Sequence, residues 1–172
     1  MVDELVDVID KNNNTIGRET KTKVHSQGLR HRVAAVLLQN KDGKYLIPTA
    51  SAKKVEVGLL NHSAAGHLPS GETYLRAAQR ELWEETELTV NEVGLKFLGT
   101  FWMEKNYVTI NVKERFEVFL AKYNPIMGKV KLNNEQVDEK WLSLEELGKL
   151  FSESPEKFSY SLNLTCKIIL KL

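Results

Sequence analysis

Residues 66–88, GHLPSGETYLRAAQRELWEETEL, constrain this chain more than any other stretch. A loop containing Gly66, Pro69 and Gly71 runs into helix-forming residues that carry Arg80, Glu81, Glu84 and Glu85 close together. At about 100° per residue, Glu81 and Glu85 lie about 40° apart, and Glu84 lies about 60° to the other side of Glu81. Leu75, Ala78 and Leu82 share the opposite side. The spacing therefore predicts a helix over about Glu72–Glu87 with those three residues on a core and the carboxylates pointing outward. Two carboxylates about 6 Å apart repel by roughly 0.7 kcal/mol in bulk water, and several times more in a partly buried cleft. A divalent cation reverses the sign of that interaction. Carboxylate oxygens are hard ligands of the kind Mg²⁺ or Mn²⁺ takes, commonly together with substrate phosphates. The helix reads as a metal platform. A solvated acidic face steadied by Arg80 and Glu84 at i, i+4 is the plain alternative, and it leaves the fixed residues upstream unexplained.

The chain has 172 residues, enough for one domain (1–172) with a core that needs neither disulfides nor structural metal. Its net charge of +1 provides no field for nucleic acid or an anionic membrane. The single cysteine, Cys166, suits a reducing compartment. The acidic start MVDELVDVID lacks the basic and apolar regions of a signal peptide, and no apolar run approaches the roughly 18 residues of a membrane span. A cytoplasmic protein with no nucleic-acid or membrane partner is expected.

ELVDVID and TIGRETK flank KNNN and read as an N-terminal hairpin. KVHSQGLRH reads as a short helix or turn. VAAVLLQN and KYLIPTA look like two buried strands around the turn KDG. Residues 51–71 show no period and read as a functional loop. LKFLGTFWM and VTINVKERFEVFLAKY supply two or three further strands. SLEELGKLF begins with a capping-box signature, and a last helix is expected from Pro155. Interspersed strands and helices around one mixed sheet imply an α/β domain.

The 66–88 stretch matches the spacing G-x5-E-x7-R-E-[apolar]-x-E-E-x-G-[apolar] at every position but one. It resembles the signature of the Nudix hydrolases. The departure is Glu87, where that family usually has a glycine closing the helix in a left-handed conformation. The resemblance implies a Nudix-type α/β/α sandwich with a mixed central sheet and an N-terminal β-hairpin. It also implies Mg²⁺ or Mn²⁺ as cofactor and hydrolysis of a diphosphate linkage. By motif position, Glu81, Glu84 and Glu85 would be metal ligands, with Glu81 also orienting or deprotonating the attacking water. The Ala65 carbonyl would add a ligand, while Gly66, Glu72 and Arg80 would hold loop and helix together. A further glutamate from a later strand is expected, either Glu114 or Glu117.

Residues 4–148 resemble the Nudix branch that contains isopentenyl-diphosphate isomerase and its hydrolase-like relatives. His25, His31 and His67 stand where the isomerases have metal-binding histidines. The same histidines could instead position the hairpin and loop of a hydrolase. Isomerase chemistry needs a cysteine just before the loop's Gly-His, and here that position is Ala65. The arginines usually found ahead of S-x-K are replaced by Thr49 and Ala50, leaving Lys53 and Lys54 as phosphate contacts. The resemblance thus favours a hydrolase over an isomerase, and over an idle binding module, which would usually have lost a helix glutamate. A small phosphorylated substrate is the expected partner, a nucleotide or nucleotide sugar, with Trp102 or Tyr107 available for stacking on a base. Association as a homodimer is left open.

Overall fold

The segment His31–Gln39 buries six consecutive residues, Val33 to Leu38, as a strand covered on both faces must. It is the centre of the molecule. In this computed structural model, residues 3–91, 94–108 and 110–172 are described. The chain runs β1 (Leu5–Ile9), β2 (Thr15–Thr20), α1 (Lys21–Gln27), β3 (His31–Gln39), β4 (Tyr45–Leu46), β5 (Thr49–Ala50), β6 (Ala64–His67) and α2 (Tyr74–Thr86). It continues with β7 (Leu95–Asn106), β8 (Asn111–Lys122), β9 (Gln136–Val137), β10 (Trp141–Leu142), α3 (Leu144–Glu153) and α4 (Tyr160–Leu164). The main sheet has the order β10-β4-β3-β8-β7, with β6 also paired to β3. β3 and β8 are parallel, and the other pairs are antiparallel, so the sheet is mixed as expected.

Because side chains alternate along a strand, β3 feeds two cores. Ala34, Val36 and Leu38 meet Ala77, Ala78 and Leu82 of α2. Val33, Ala35 and Leu37 meet Leu147 and Phe151 of α3 together with Phe158, Leu162 and Cys166. Helices thus cover both faces, giving the α/β/α sandwich. The N-terminal hairpin forms as expected, with Asp10 accepting the N–H groups of Asn12 and Asn14 at 2.8 Å to fix its turn. Ser143 and Glu146 close the anticipated capping box of α3. Among the described residues, no helix is long and apolar enough to cross a membrane.

Five expectations about the elements need correction. Residues 51–71 are not loop throughout, because Ala64–His67 forms β6 on the edge of β3. Four residues carry too little period to be seen, and the pairing partner supplies the order. KYLIPTA is not one strand: Ile47-Pro48 interrupts it, sending β4 to β10 and β5 to β9. The helix of the motif starts at Tyr74 with Thr73 as N-cap, not at Glu72. Pro155 opens only a three-residue turn. The last helix is capped by Ser159 and continues from Thr165 to Leu170 in wider, π-helical turns. The strand expected over 108–123 starts at Asn111; Thr109 lies outside the described residues.

Candidate active site

Strand β6 and helix α2 meet at Gly66. Its register partner is Ala34, so position 66 faces α2, and a Cβ there would overlap the Glu81 carboxylate. Only glycine allows the helix carboxylate to lie against the strand backbone. Arg80 then ties the assembly together. It holds Glu72 through two bonds (2.9 and 3.3 Å), Glu81 at 2.6 Å and Glu84 at 3.2 Å. Its remaining N–H donates to the His67 carbonyl at 2.9 Å. One planar fork thus joins the loop, the helix and β6.

The carboxylates differ in exposure, which corrects the outward placement expected from spacing. Glu84 is exposed, but Glu81 is 8% and Glu85 only 2% exposed. The cover comes from residues 131–137. Lys131 N–H donates to the Thr86 carbonyl (3.0 Å) and Asn133 N–H to the Glu85 carbonyl (3.1 Å), fastening this strap over the end of α2. Gln136 donates its side-chain amide to Glu85, and Lys54 reaches Glu85 at 3.0 Å and Glu135 at 2.7 Å. Burial raises the Glu85 pKa to about 7 against the pull of Lys54, and burial also raises that of Glu81 despite Arg80. Hard oxygen donors crowded at such cost against a glycine cradle fit a divalent cation. At the helix end, Glu87 takes the glycine role in the left-handed conformation (φ 57°, ψ 17°) and pairs with Lys131 at 2.7 Å.

The opposite face of β6 carries a second polar centre. His67 stands opposite Val33, and His31 opposite Glu114, both on the face away from α2. His25 arrives from α1. The Nε2 atoms of His25, His31 and His67 lie 3.5, 3.3 and 3.3 Å from Glu114 Oε1. One ligand atom from each of the four lies within 4.8 Å of the others. His31 Nδ1 is 2.9 Å from the Leu29 carbonyl and must donate to it, so Nε2 of the neutral ring is a bare lone pair. That Nε2 is buried without a hydrogen-bond partner, facing a carboxylate oxygen. A cation between them would satisfy both, and three imidazoles with one carboxylate suit a transition metal. Burial drives the His67 pKa down to about 3, which keeps the ring neutral, and its Nε2 lies 3.2 Å from His25 Nε2.

The structure thus brings Gly66, Glu72, Arg80, Glu81, Glu84 and Glu85 together, and separately His25, His31, His67 and Glu114. Glu117 joins neither group: it pairs with Arg115 at 2.9 Å. The Ala65 side chain packs in the core on the histidine face. Lys53 is exposed, whereas Lys54 is engaged by carboxylates. Trp102 lies under Arg30 (6.0 Å) and Tyr107 under Lys105 (4.5 Å), so both rings face cations of the chain itself. Glu135 and Gln136 escaped the sequence reading. They belong to β9 and the residue before it, and the two-residue pairing of β9 with β5, together with the strap's bonds to the end of α2, brings them to the helix.

The NUDIX domain family matches residues 29–163. An uncharacterized Nudix hydrolase of Nostoc sp. is 36% identical over 146 residues, 84% of this chain and 83% of that protein. The isopentenyl-diphosphate Delta-isomerase of Serratia proteamaculans is 29% identical over 161 residues, 92% of this chain and 87% of that protein. A crystal structure from Deinococcus radiodurans superposes with a TM-score of 0.74 at 22% identity, covering 93% of this chain and 95% of the other.

Proposed function

The chain belongs to the Nudix hydrolase family, and from that premise we propose that it is a metal-dependent hydrolase acting on a diphosphate linkage in a nucleoside diphosphate derivative, of nucleotide or nucleotide-sugar type. The whole chain, 1–172, is read as the one domain that does this. The observation that carries the reading is the arrangement of Glu81, Glu84 and Glu85 around Arg80, with Glu81 seated against Gly66.

Glu81, Glu84 and Glu85, with the Ala65 carbonyl, would hold Mg²⁺ or Mn²⁺. When bound, such an ion supplies charge neutralisation at phosphate oxygens and a more acidic water. Arg80 keeps Glu81 and Glu84 on one side of the helix, so their oxygens are placed before substrate arrives. Glu81 has its pKa raised by burial, which makes it a stronger base for a water proton than an ordinary exposed carboxylate. Lys53, Lys54, His67 and Trp102 are the substrate-side residues of this reading. His25, His31, His67 and Glu114 would hold a second, transition-metal ion on the other face.

That second centre and the isomerase-named relatives favour one other reading, alkene isomerisation of an isopentenyl-type diphosphate. Position 65 speaks against it. An acid must stand over the substrate carbon to protonate it, and the Ala65 methyl has no proton to give. Its backbone carbonyl, all that a hydrolase asks of it, is kept. The test incubates the protein with Mg²⁺ and a panel of nucleoside diphosphate derivatives, and separately with isopentenyl diphosphate in deuterated water. Metal-dependent phosphate or nucleotide release from at least one panel member, without deuterium entering isopentenyl diphosphate, is expected. Deuterium incorporation would overturn the hydrolase reading.

A further inference from the structure

Lys54 is a lysine without an ordinary reason to be where it is. Its side chain is only 21% exposed, and its ammonium sits between Glu85 (3.0 Å) and Glu135 (2.7 Å). Both oxygens of Glu85 are taken, one by this ammonium and the other by the Gln136 amide. The lysine comes from an irregular loop whose backbone folds back on itself through Lys54 N–H to the Ser51 carbonyl (3.1 Å). That loop is stitched to the strap by Ser51 Oγ to the Asn134 carbonyl (2.8 Å) and Ser51 N–H to the Glu135 carbonyl (2.9 Å). Loop and strap therefore form one unit that presents a cation and an amide to the most buried helix carboxylate. Arg80, by contrast, binds Glu81 and Glu84 from the helix itself and leaves Glu85 untouched.

We propose that Lys54 is a built-in counter-ion that holds Glu85 in place of a divalent metal, so that metal loading requires the ammonium to leave and releases it toward the substrate's phosphate oxygens. The inference rests on reading Glu81, Glu84 and Glu85 as the metal site. Its physical basis is exclusion: an ammonium at 3.0 Å from a carboxylate oxygen and a divalent ion on the same oxygen repel strongly in a cavity of low dielectric. Removing the ammonium leaves a buried carboxylate without its cation, which any entering cation would relieve. Displaced, Lys54 keeps a flexible four-carbon stem and three donors, the means by which lysine meets phosphate. Metal first and phosphate second is the order this builds in. A purely structural ion pair would show no such linkage.

The experiment titrates the chelator-treated full chain with Mg²⁺ alone by calorimetry, comparing the wild type with Lys54→Met, Lys54→Arg and Glu85→Gln. Mg²⁺ reports the carboxylate site because imidazoles suit it poorly. Lys54→Met is expected to bind Mg²⁺ at least tenfold more tightly than the wild type, and Lys54→Arg no more tightly. With Mg²⁺ saturating, Lys54→Met should then bind methylenediphosphonate about tenfold more weakly. If Lys54→Met does not fold, Lys54→Gln carries the same expectation. Unchanged or weaker Mg²⁺ binding by the neutral variant, with Glu85→Gln losing it, overturns the counter-ion proposal and leaves the metal site standing. Undiminished Mg²⁺ binding by Glu85→Gln overturns the site reading itself, and the proposal with it.

Discussion

The two faces of β6 hold opposite solutions to one problem, how to keep buried polar groups together before a ligand arrives. On the α2 face, carboxylates outnumber their cations, and Arg80 and Lys54 neutralise them from within the chain. On the other face, three imidazoles surround a single carboxylate, and one buried nitrogen is left without a partner. The first centre is hard and oxygen-rich; the second is nitrogen-rich and suited to a transition metal. They are separated by one strand and joined by one bond, from Arg80 to the His67 carbonyl. Donor chemistry, more than position on the sheet, distinguishes them.

The comparison breaks most sharply through paired variants. Glu84→Gln should lower kcat by about 10²–10³-fold, the loss of roughly 3–4 kcal/mol of transition-state stabilisation. Because Glu84 is exposed, folding should be unaffected. Glu114→Gln should instead remove one tightly held transition-metal ion, seen by elemental analysis, with kcat reduced less than tenfold. Steady-state kinetics beside metal content decide this. The reverse ranking would move the chemistry to the histidine face.

A smaller effect is expected with pH, and His62 isolates it. This histidine is stacked on Phe116, with Nε2 at 2.8 Å from Thr165 Oγ1 and, among the described residues, no carboxylate partner. Burial lowers its pKa to about 3 from 6.5, with Lys54 adding to the shift. Between those values the unfolded chain binds a proton that the folded one refuses. Stability from this group is therefore full above pH 6.5 and is lost as pH falls toward 3, at up to about 1.4 kcal/mol per pH unit. Denaturant melts of the metal-free protein at stepped pH should show a shallower acid limb for His62→Gln. An unchanged limb would assign the acid sensitivity to His67, whose pKa burial also lowers to about 3.

The smallest expected change lies at the end of α2. Glu87→Gly relieves a left-handed residue and should stabilise the fold by up to about 1 kcal/mol, reduced by whatever the exposed Lys131 pair contributes. Equilibrium unfolding measures it. A clear loss would mean that the strap depends on Glu87 and Lys131 to cover Glu85.

Local rules determined what local rules can. Helical spacing put Glu81, Glu84 and Glu85 together, Ser143 and Glu146 announced a cap, and the Asn-rich turn announced a hairpin. Each of these depends on residues a few positions apart, where backbone geometry alone dictates who meets whom. Tertiary structure decided the rest. Burial of Glu81 and Glu85, which their spacing does not reveal, comes from a strap some fifty residues further on, held by two-residue strands with no readable period. Glu135 and Gln136 owe their place to the same pairing. Histidines 25, 31 and 67 come from α1, β3 and β6, and Glu114 from β8, so the sheet register together with the docking of α1 makes them one centre. Periodicity names the face on which a side chain sits, but what covers that face is set by partners the chain meets only when folded.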